Sequence, residues 1–507
     1  MDKGGGKRMD KEYIMTIDEG TTGVRVLLFD SNLKVVSQAY RRVNSIYPGP
    51  SMVEQDPVDI LDKTIEVMRE AVTKAGIPAA CIAGIGLDVQ RGTWMIWDRR
   101  TGQPLSRFVV WQDTRGQYEK DVFLQDEAFC ARFPVAAASL EKVGSHLATV
   151  AHRRIRMDDA LRSGMDSGHA AWGNVDSWLI YKLTGGKRHV SGRNIPGSLI
   201  YMDIFNAATG GFNEPILEYF YLRPSMMPQL LCNIDDYGTL HPDILGHPVP
   251  IMSSNADQQS ALFAQGCHEA GMAKCTMGTG TFVDINIGKT CQGVEGLNLM
   301  LAWDIDGNRD YMVEGLSMTS GACLEWAKDR LMLFDSFAQA DEMAGSVPDS
   351  DGVYFVPAIN GMDEVPFSST GGRGSFMGIE ASSHRPHFVR ALMEGIGFAS
   401  AYIFETVARR LGGMKRITVD GGVTRSDIVC QLLADLTTAE VVRPKMVEAS
   451  ALGAACMVAI GLGWLSKQDV AGLLEPGSVF NPSENQTVQE HYRMWKKAVE
   501  RSRDWLE

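Results

Sequence analysis

The sequence predicts an α/β protein of two related halves, and three observations carry that expectation. At 507 residues, 45% hydrophobic and 22% charged, the chain has core material for more than one globular domain. Short apolar runs with strand alternation give way repeatedly to amphipathic stretches of helical period. One strand-turn-strand plan also occurs twice, about half the chain apart.

The first copy is Ile17 to Asp30, IDEGTTGVRVLLFD. An apolar run from Tyr13 meets an acid and then Gly20-Thr21-Thr22-Gly23, after which Val24, Val26 and Leu28 alternate with Arg25 and Leu27. Glycines at 20 and 23 are expected to supply the positive φ of a hairpin turn. Two threonine hydroxyls and the free backbone N–H groups of the tip suit a phosphate. No Gly-Lys-Ser/Thr follows, and the next element is a strand, so this is not a P-loop. The second copy is Cys275 to Ile287, CTMGTGTFVDINI, with its Gly-Thr pair 258 positions after the first. Two halves that each offer such a turn suggest a cleft in which both grip one polyphosphate. The repeat puts the boundary near Gln265 to Gly271, giving domains 9–265 and 266–485 and a C-terminal helix over 486–507.

Between the two copies, Asp56 reads as an N-cap with Pro57 at the first helical position. Ile82 to Leu87 reads as a buried strand ending in Gln90-Arg91-Gly92-Thr93-Trp94, and Val109 to Asp113 ends a second apolar run in polar residues. Ligand groups often sit past strand ends, so Arg91 and Asp113 are either a surface ion pair or part of a pocket floor. Asp121 to Asp166 is helical with a charged, solvated face, and Asn174 caps a helix to Leu183. In IMSSNADQQSALFAQG, from Ile251, a strand ends and a helix begins near Asp257. That carboxylate is either an N-cap or a general base kept ionised by the helix dipole.

In the second half, Glu314 to Leu331 reads as helix, Val353 to Pro357 as strand, Gly361 to Gly374 as a glycine-rich loop and Pro386 to Leu411 as a long helix. Ile417 to Asp420 is a strand closing on Gly421-Gly422, where the backbone could approach a ligand. Ser426 is expected to cap the following helix, and Ala449 to Ile460 to pack behind that turn.

A net charge of −13 and a pI near 5.3 argue against a nucleic-acid partner. Nine scattered cysteines without a CxxC read as free thiols of a reducing compartment and argue against structural zinc. Met1 to Arg8 precedes no signal-peptide core, and the longest apolar run, Ala451 to Leu465, is too short to span a bilayer. These features predict a cytoplasmic protein without membrane attachment, and leave a homodimer open.

Taken together, DEGTTGVRVLLFD, YPGPSMVEQDP, VQRGTWMIWD, VVWQDTR, NVDSWLIYKLTGG, NADQQSALFAQG, MGTGTF, VDGGVTRS and EASALGAA resemble the FGGY carbohydrate kinases, and among them the glycerol kinases, along nearly the whole chain. The resemblance implies two actin-like ATPase (RNase H-like) domains with mixed sheets flanked by helices, and an ATP-dependent, Mg²⁺-assisted kinase whose nucleotide and sugar meet in the cleft. It makes Asp257 the base that takes the acceptor's hydroxyl proton and puts Asp18 near Mg²⁺. Thr21, Thr22, Arg25, Gly278, Thr279, Gly321, Glu325, Gly422 and Ser426 correspond to nucleotide contacts. Gln90, Arg91, Trp111, Asp257, Gln258 and Phe282 correspond to the polyol pocket.

Three departures bear on the acceptor. Gly92 stands where glycerol kinases carry a glutamate after Gln-Arg, Ala136 to Leu140 offers no aromatic ring to close over glycerol, and Val365 to Gly374 replaces a Pro-Tyr-Trp-Asp stretch. A roomier site with fewer hydroxyl acceptors keeps a larger polyol or a ketopentose such as xylulose as the alternative. A non-catalytic actin- or Hsp70-like ATP-binding protein is the reading from another class.

Overall fold

In the computed structural model, which describes residues 12–143, 147–317, 319–362, 371–445 and 448–506, the first Gly-Thr turn joins β1 (Tyr13–Gly20) to β2 (Gly23–Phe29). The strands pair antiparallel, with Gly20 opposite Gly23 across the two threonines. Neither glycine has positive φ, which corrects the expected reason for their presence. Gly23 is needed for space, because a Cβ there would lie 2.4 Å from the Tyr40 hydroxyl and 2.6 Å from the Arg41 carbonyl.

The described chain forms two compact units. Unit 1 holds everything up to Ala264 together with Met300–Asp310 and Glu448–Ala471; unit 2 holds Gln265–Leu299, Tyr311–Val447 and the remainder. Glu448–Ala471, which the repeat assigns to the second half, is thus part of the first unit.

In unit 1, β3 (Val35–Arg42), α1 (Pro57–Ala75), β4 (Ile82–Val89), β5 (Ile234–Thr239) and β6 (Pro250–Ala256) follow the hairpin. They form a sheet ordered β5-β6-β4-β1-β2-β3. β1, β4 and β6 are parallel and their neighbours on either side antiparallel. The continuous apolar sequence of β4 follows from its central place, since all eight residues are buried. The Asp56 side chain caps α1 by accepting from the Val58 N–H, and Gly76, in the left-handed region at φ +64°, closes it. α2 (Asp257–Ala264) begins where β6 ends.

In unit 2, β7 (Met272–Met277), β8 (Thr281–Gly288), β9 (Asn308–Ser317), β10 (Arg416–Asp420), β11 (Glu440–Pro444) and β12 (Pro476–Phe480) run in the order β9-β8-β7-β10-β11-β12. The pattern of strand senses matches unit 1: antiparallel, antiparallel, parallel, parallel, antiparallel. The twice-used turn therefore belongs to a twice-used sheet. Its helices include α3 (Gly321–Asp329), α4 (Arg385–Leu411) and α5 (Asp427–Thr437).

Glu314 to Ser317 belongs to β9 rather than to a helix, because it pairs with Thr281 to Asp284 of β8. The small-residue helix α6 (Ala449–Gly461) packs on α2 and β4 in unit 1 rather than behind Gly421-Gly422. Gly453 permits this, since a Cβ there would lie 2.0 Å from the Ser260 carbonyl. The Ser260 hydroxyl donates to the Ser450 carbonyl at 2.7 Å across the same seam. The stretch Met1 to Arg8 and most of the loop 361–374 fall outside the described residues. Among the described residues no helix is long and apolar enough to cross a membrane.

Burial pushes His189 from the ordinary 6.5 down to about 4, with Arg99 adding to the depression. Its Nε2 lies 2.8 Å from the Trp172 carbonyl and its Nδ1 3.4 Å from the Arg99 guanidinium, the arrangement of a neutral ring that donates on one side and accepts on the other. The unfolded ring binds the proton first as pH falls, so stability is lost from about pH 6.5 down to about 4. We expect the parent to lose up to about 1.4 kcal/mol per pH unit through this ring, which His189→Gln does not lose. Urea unfolding of both proteins at pH 7 and pH 5 checks it.

Candidate active site

The parallel strands β1, β4 and β6 end side by side, which brings a set of acids together. Asp18 is the register partner of Asp88, Asn255 is the partner of Asp88 on the other side, and Asp257 follows one residue past β6. Ligand groups collect at this end of parallel sheets. Burial raises Asp18 to about 6, against the pull of an Asp88 hydrogen bond and of Arg25; the charge of Asp257 pushes the same way as burial. Asp88 is fully buried and is pushed well above the carboxylate range by burial and by Asp18. Glu19, also fully buried, is raised to about 8 and is therefore an uncharged acid at neutral pH.

Gln90 ties this acid set to the turn. Its Nε2 donates to Glu19 Oε2 at 3.2 Å and to Gln55 Oε1 at 3.0 Å, and its Oε1 accepts from the Thr93 hydroxyl at 3.0 Å and the Thr21 hydroxyl at 3.3 Å. The Trp111 indole N–H donates to Thr21 Oγ1 at 2.8 Å, and the residue is 47% exposed, which leaves it surface to offer a ligand. Thr21, expected with the nucleotide, thus shares one network with Gln90 and Trp111, expected with the polyol. Thr22 is exposed at the tip. The Arg25 guanidinium forms an ion pair with Glu448.

Arg91 and Asp257 face each other, with Arg91 Nε 3.9 Å from Asp257 Oδ1. The Gln258 N–H donates to the same Asp257 oxygen at 2.8 Å. Arg91 also donates to the Met300 sulfur. Asp113 is not its partner: buried, it accepts from the Val53 N–H at 2.8 Å and pairs with Arg115.

In unit 2 three backbone turns converge. The Gly278 carbonyl accepts from the Gly321 N–H at 2.9 Å, and the Thr279 carbonyl from the Ser320 and Ala322 N–H groups at 2.9 and 3.1 Å, which fastens the hairpin tip to the start of α3. Gly421, at φ +96°, lets the end of β10 join them, since a Cβ there would lie 2.4 Å from the Met277 carbonyl. Gly422 is exposed with open space at its Cβ position, and Glu325 is exposed on α3. Ser426 begins α5 without capping it, because its hydroxyl donates to Asp341 Oδ1 at 2.5 Å. Phe282, expected in the polyol pocket, belongs to unit 2, half-buried on β8 opposite Thr276.

Glu19, Asp88 and Asp341 were not anticipated. Asp88 carried a signal, being the one acid in an otherwise apolar strand. Asp341 carried none, since its role depends on Ser426 85 positions away.

Gly92 has φ +69°, and a Cβ there would lie 3.2 Å from Trp111 Cβ. Gly92→Glu, which would supply the glutamate of the glycerol-kinase pattern, meets a left-handed backbone that costs about 1–2 kcal/mol. We expect a lower thermal midpoint and no gain in glycerol turnover. Unchanged stability with faster glycerol turnover would show that this backbone accepts the glutamate.

Comparison with known proteins divides the chain between residues 264 and 273. Residues 13–264 match the N-terminal domain, and residues 273–462 the C-terminal domain, of the FGGY family of carbohydrate kinases. Glycerol kinase of Acaryochloris marina is 36% identical over 511 residues, covering 98% of this chain and 99% of that protein. Glycerol kinase of Trichodesmium erythraeum is 33% identical over 513 residues, with coverages of 98% and 99%. Among solved structures, Plasmodium falciparum glycerol kinase with ADP superposes with a TM-score of 0.88 at 27% identity, covering 97% of this chain and 98% of that one. Xylulose kinase from Rhodospirillum rubrum, at 22% identity and a TM-score of 0.83, shares the fold over 96% of this chain and 98% of its own.

Proposed function

The chain belongs to the FGGY family of carbohydrate kinases, and from that membership we propose that it transfers the γ-phosphoryl group of ATP to a terminal hydroxyl of glycerol or a similarly small polyol. The observation that carries this reading is Asp257: a carboxylate at the start of α2, 3.9 Å from the Arg91 guanidinium and beside the strand ends that carry Asp18 and Asp88.

In the proposed reaction the acceptor oxygen attacks the γ-phosphorus, the bond to the bridging oxygen of ADP breaks, and Asp257 takes the hydroxyl proton. Arg91 and Gln90 would orient the acceptor's hydroxyls, with the exposed surface of Trp111 against its carbons. Phosphoryl transfer asks a protein mainly for positioning and charge neutralisation. Gly278, Thr279, Gly321 and Gly422 would hold the nucleotide by backbone groups that approach closely because side chains are absent or turned away. Thr21, Thr22 and Arg25 would serve its phosphates, and Glu325 and Ser426 would border it.

Asp18 and Asp88 fit a divalent cation: two adjoining carboxyl groups are raised by burial, and Asp18 raises Asp88 further, a state a cation relieves. Mg²⁺ bound there would neutralise phosphate charge.

Gly92 stands where the glycerol-kinase pattern has a glutamate, one hydroxyl acceptor fewer, which favours a different acceptor such as a ketopentose as the second reading. An ATP-coupled assay over glycerol, erythritol, ribitol, xylulose and ribulose separates the two. Glycerol should give the highest kcat/KM. A ketopentose at least tenfold better would replace glycerol as the acceptor, and turnover with none would remove the proposal.

A further inference from the structure

Lys274 lies on β7 four positions before Gly278 and is 1% exposed. A buried ammonium is costly unless paired, and its pairing here follows the register of the sheet. Glu314, Asp284, Lys274 and Thr418 stand in one cross-strand row over β9, β8, β7 and β10. The Lys274 Nζ lies 2.9 Å from Asp284 Oδ2 and donates to the Thr276 hydroxyl at 3.0 Å. Asp284 is fully buried, and among the described residues no backbone N–H or hydroxyl donates to either of its oxygens, so the ammonium is its counter-charge. Asp420 and Glu314 add their charges to the same ammonium.

The strands of this row lead to each of the three unit 2 turns of the candidate nucleotide site. Thr276 is opposite Asp420, which precedes Gly421 and Gly422; Asp284 is on the outgoing strand of the Gly278-Thr279 hairpin; Glu314 is on the strand that leads to Gly321. One cation therefore faces carboxylates from three strands, and each strand runs directly into a nucleotide turn.

We propose that Lys274 is a positioning residue for nucleotide binding, holding the Gly278-Thr279 turn and the Asp420-Gly421-Gly422 turn in register through Thr276 and Asp420 in addition to neutralising Asp284. The proposal rests on the assignment of the unit 2 turns to the nucleotide. One well-placed hydrogen bond is worth roughly tenfold in affinity, so loss of this anchor should weaken nucleotide binding at least about tenfold.

The test compares Lys274→Met with Lys274→Met/Asp284→Leu, measuring ADP affinity by calorimetric titration, thermal midpoint, and KM for ATP and for the acceptor. The single variant should be less stable and bind ADP at least tenfold more weakly. In the double variant the orphaned carboxylate is gone, so the midpoint should return toward the parent's while ADP affinity stays at least tenfold down and the acceptor KM stays near the parent's. ADP affinity that returns together with stability, or a single variant that binds ADP normally, would reduce Lys274 to a structural pair and overturn the proposal. A parent that binds no ADP would instead remove the nucleotide assignment beneath it.

Discussion

Asp257→Asn is expected to lower kcat by about 10²–10⁴-fold, the usual worth of a general base. The amide keeps the size of the carboxylate and can still accept from the Gln258 N–H, so α2 keeps its start. What is lost is the group that takes a proton and the negative charge facing Arg91. ADP affinity should change little, because Asp257 is none of the groups assigned to the nucleotide. The charge of Asp257 also helps raise Asp18, so the variant relieves that repulsion but takes away the charge facing Arg91, and the thermal midpoint should move little. Steady-state kinetics, ADP titration and thermal unfolding read the three effects separately; near-parent kcat would remove Asp257 as the base.

Gly421→Ala should act on the other half of the reaction. The residue sits at φ +96°, and the atoms a methyl would meet are the Met277 carbonyl oxygen at 2.4 Å, its carbon at 2.6 Å and its nitrogen at 3.0 Å. None of these can rotate away, so β7 and β10 must separate or the turn must change. Either displaces Gly422 and the hairpin tip. ADP affinity should fall at least about tenfold, and stability by about 2–3 kcal/mol, the range of backbone strain at special positions. Gly422→Ala, one residue on, has open space at its Cβ position and should fold like the parent. Equal loss of ADP binding without loss of stability in both would argue that the turn contacts nucleotide through its glycine surface rather than through its shape.

The repeated turn was legible in the sequence because it is local: alternation, a Gly-Thr pair and an acid lie within about a dozen residues. The reason for its glycines was not, since the crowding at Gly23 comes from Tyr40 and Arg41 on a strand that only the fold brings alongside. Asp257 could be read from a strand end running into a helix start. Its neighbours could not: Asp88 becomes a partner of Asp18 through parallel pairing across about 70 residues. Glu314 misled because its local pattern suits a helix, while pairing with β8 makes it strand. The place of α6 escaped for a similar reason. α6 joins unit 1 through the Gly453 seam with Ser260, a contact that spans more than 190 positions of sequence.

The central claim is that this chain phosphorylates a small polyol with Asp257 as the base. The most direct measurement follows label from γ-³²P ATP with and without glycerol, using the parent and Asp257→Asn. The account predicts label in a phosphorylated polyol, ATP consumption that depends on the acceptor, and loss of both in a variant that still binds ADP. Label released as inorganic phosphate at the same rate whether or not a polyol is present would contradict it.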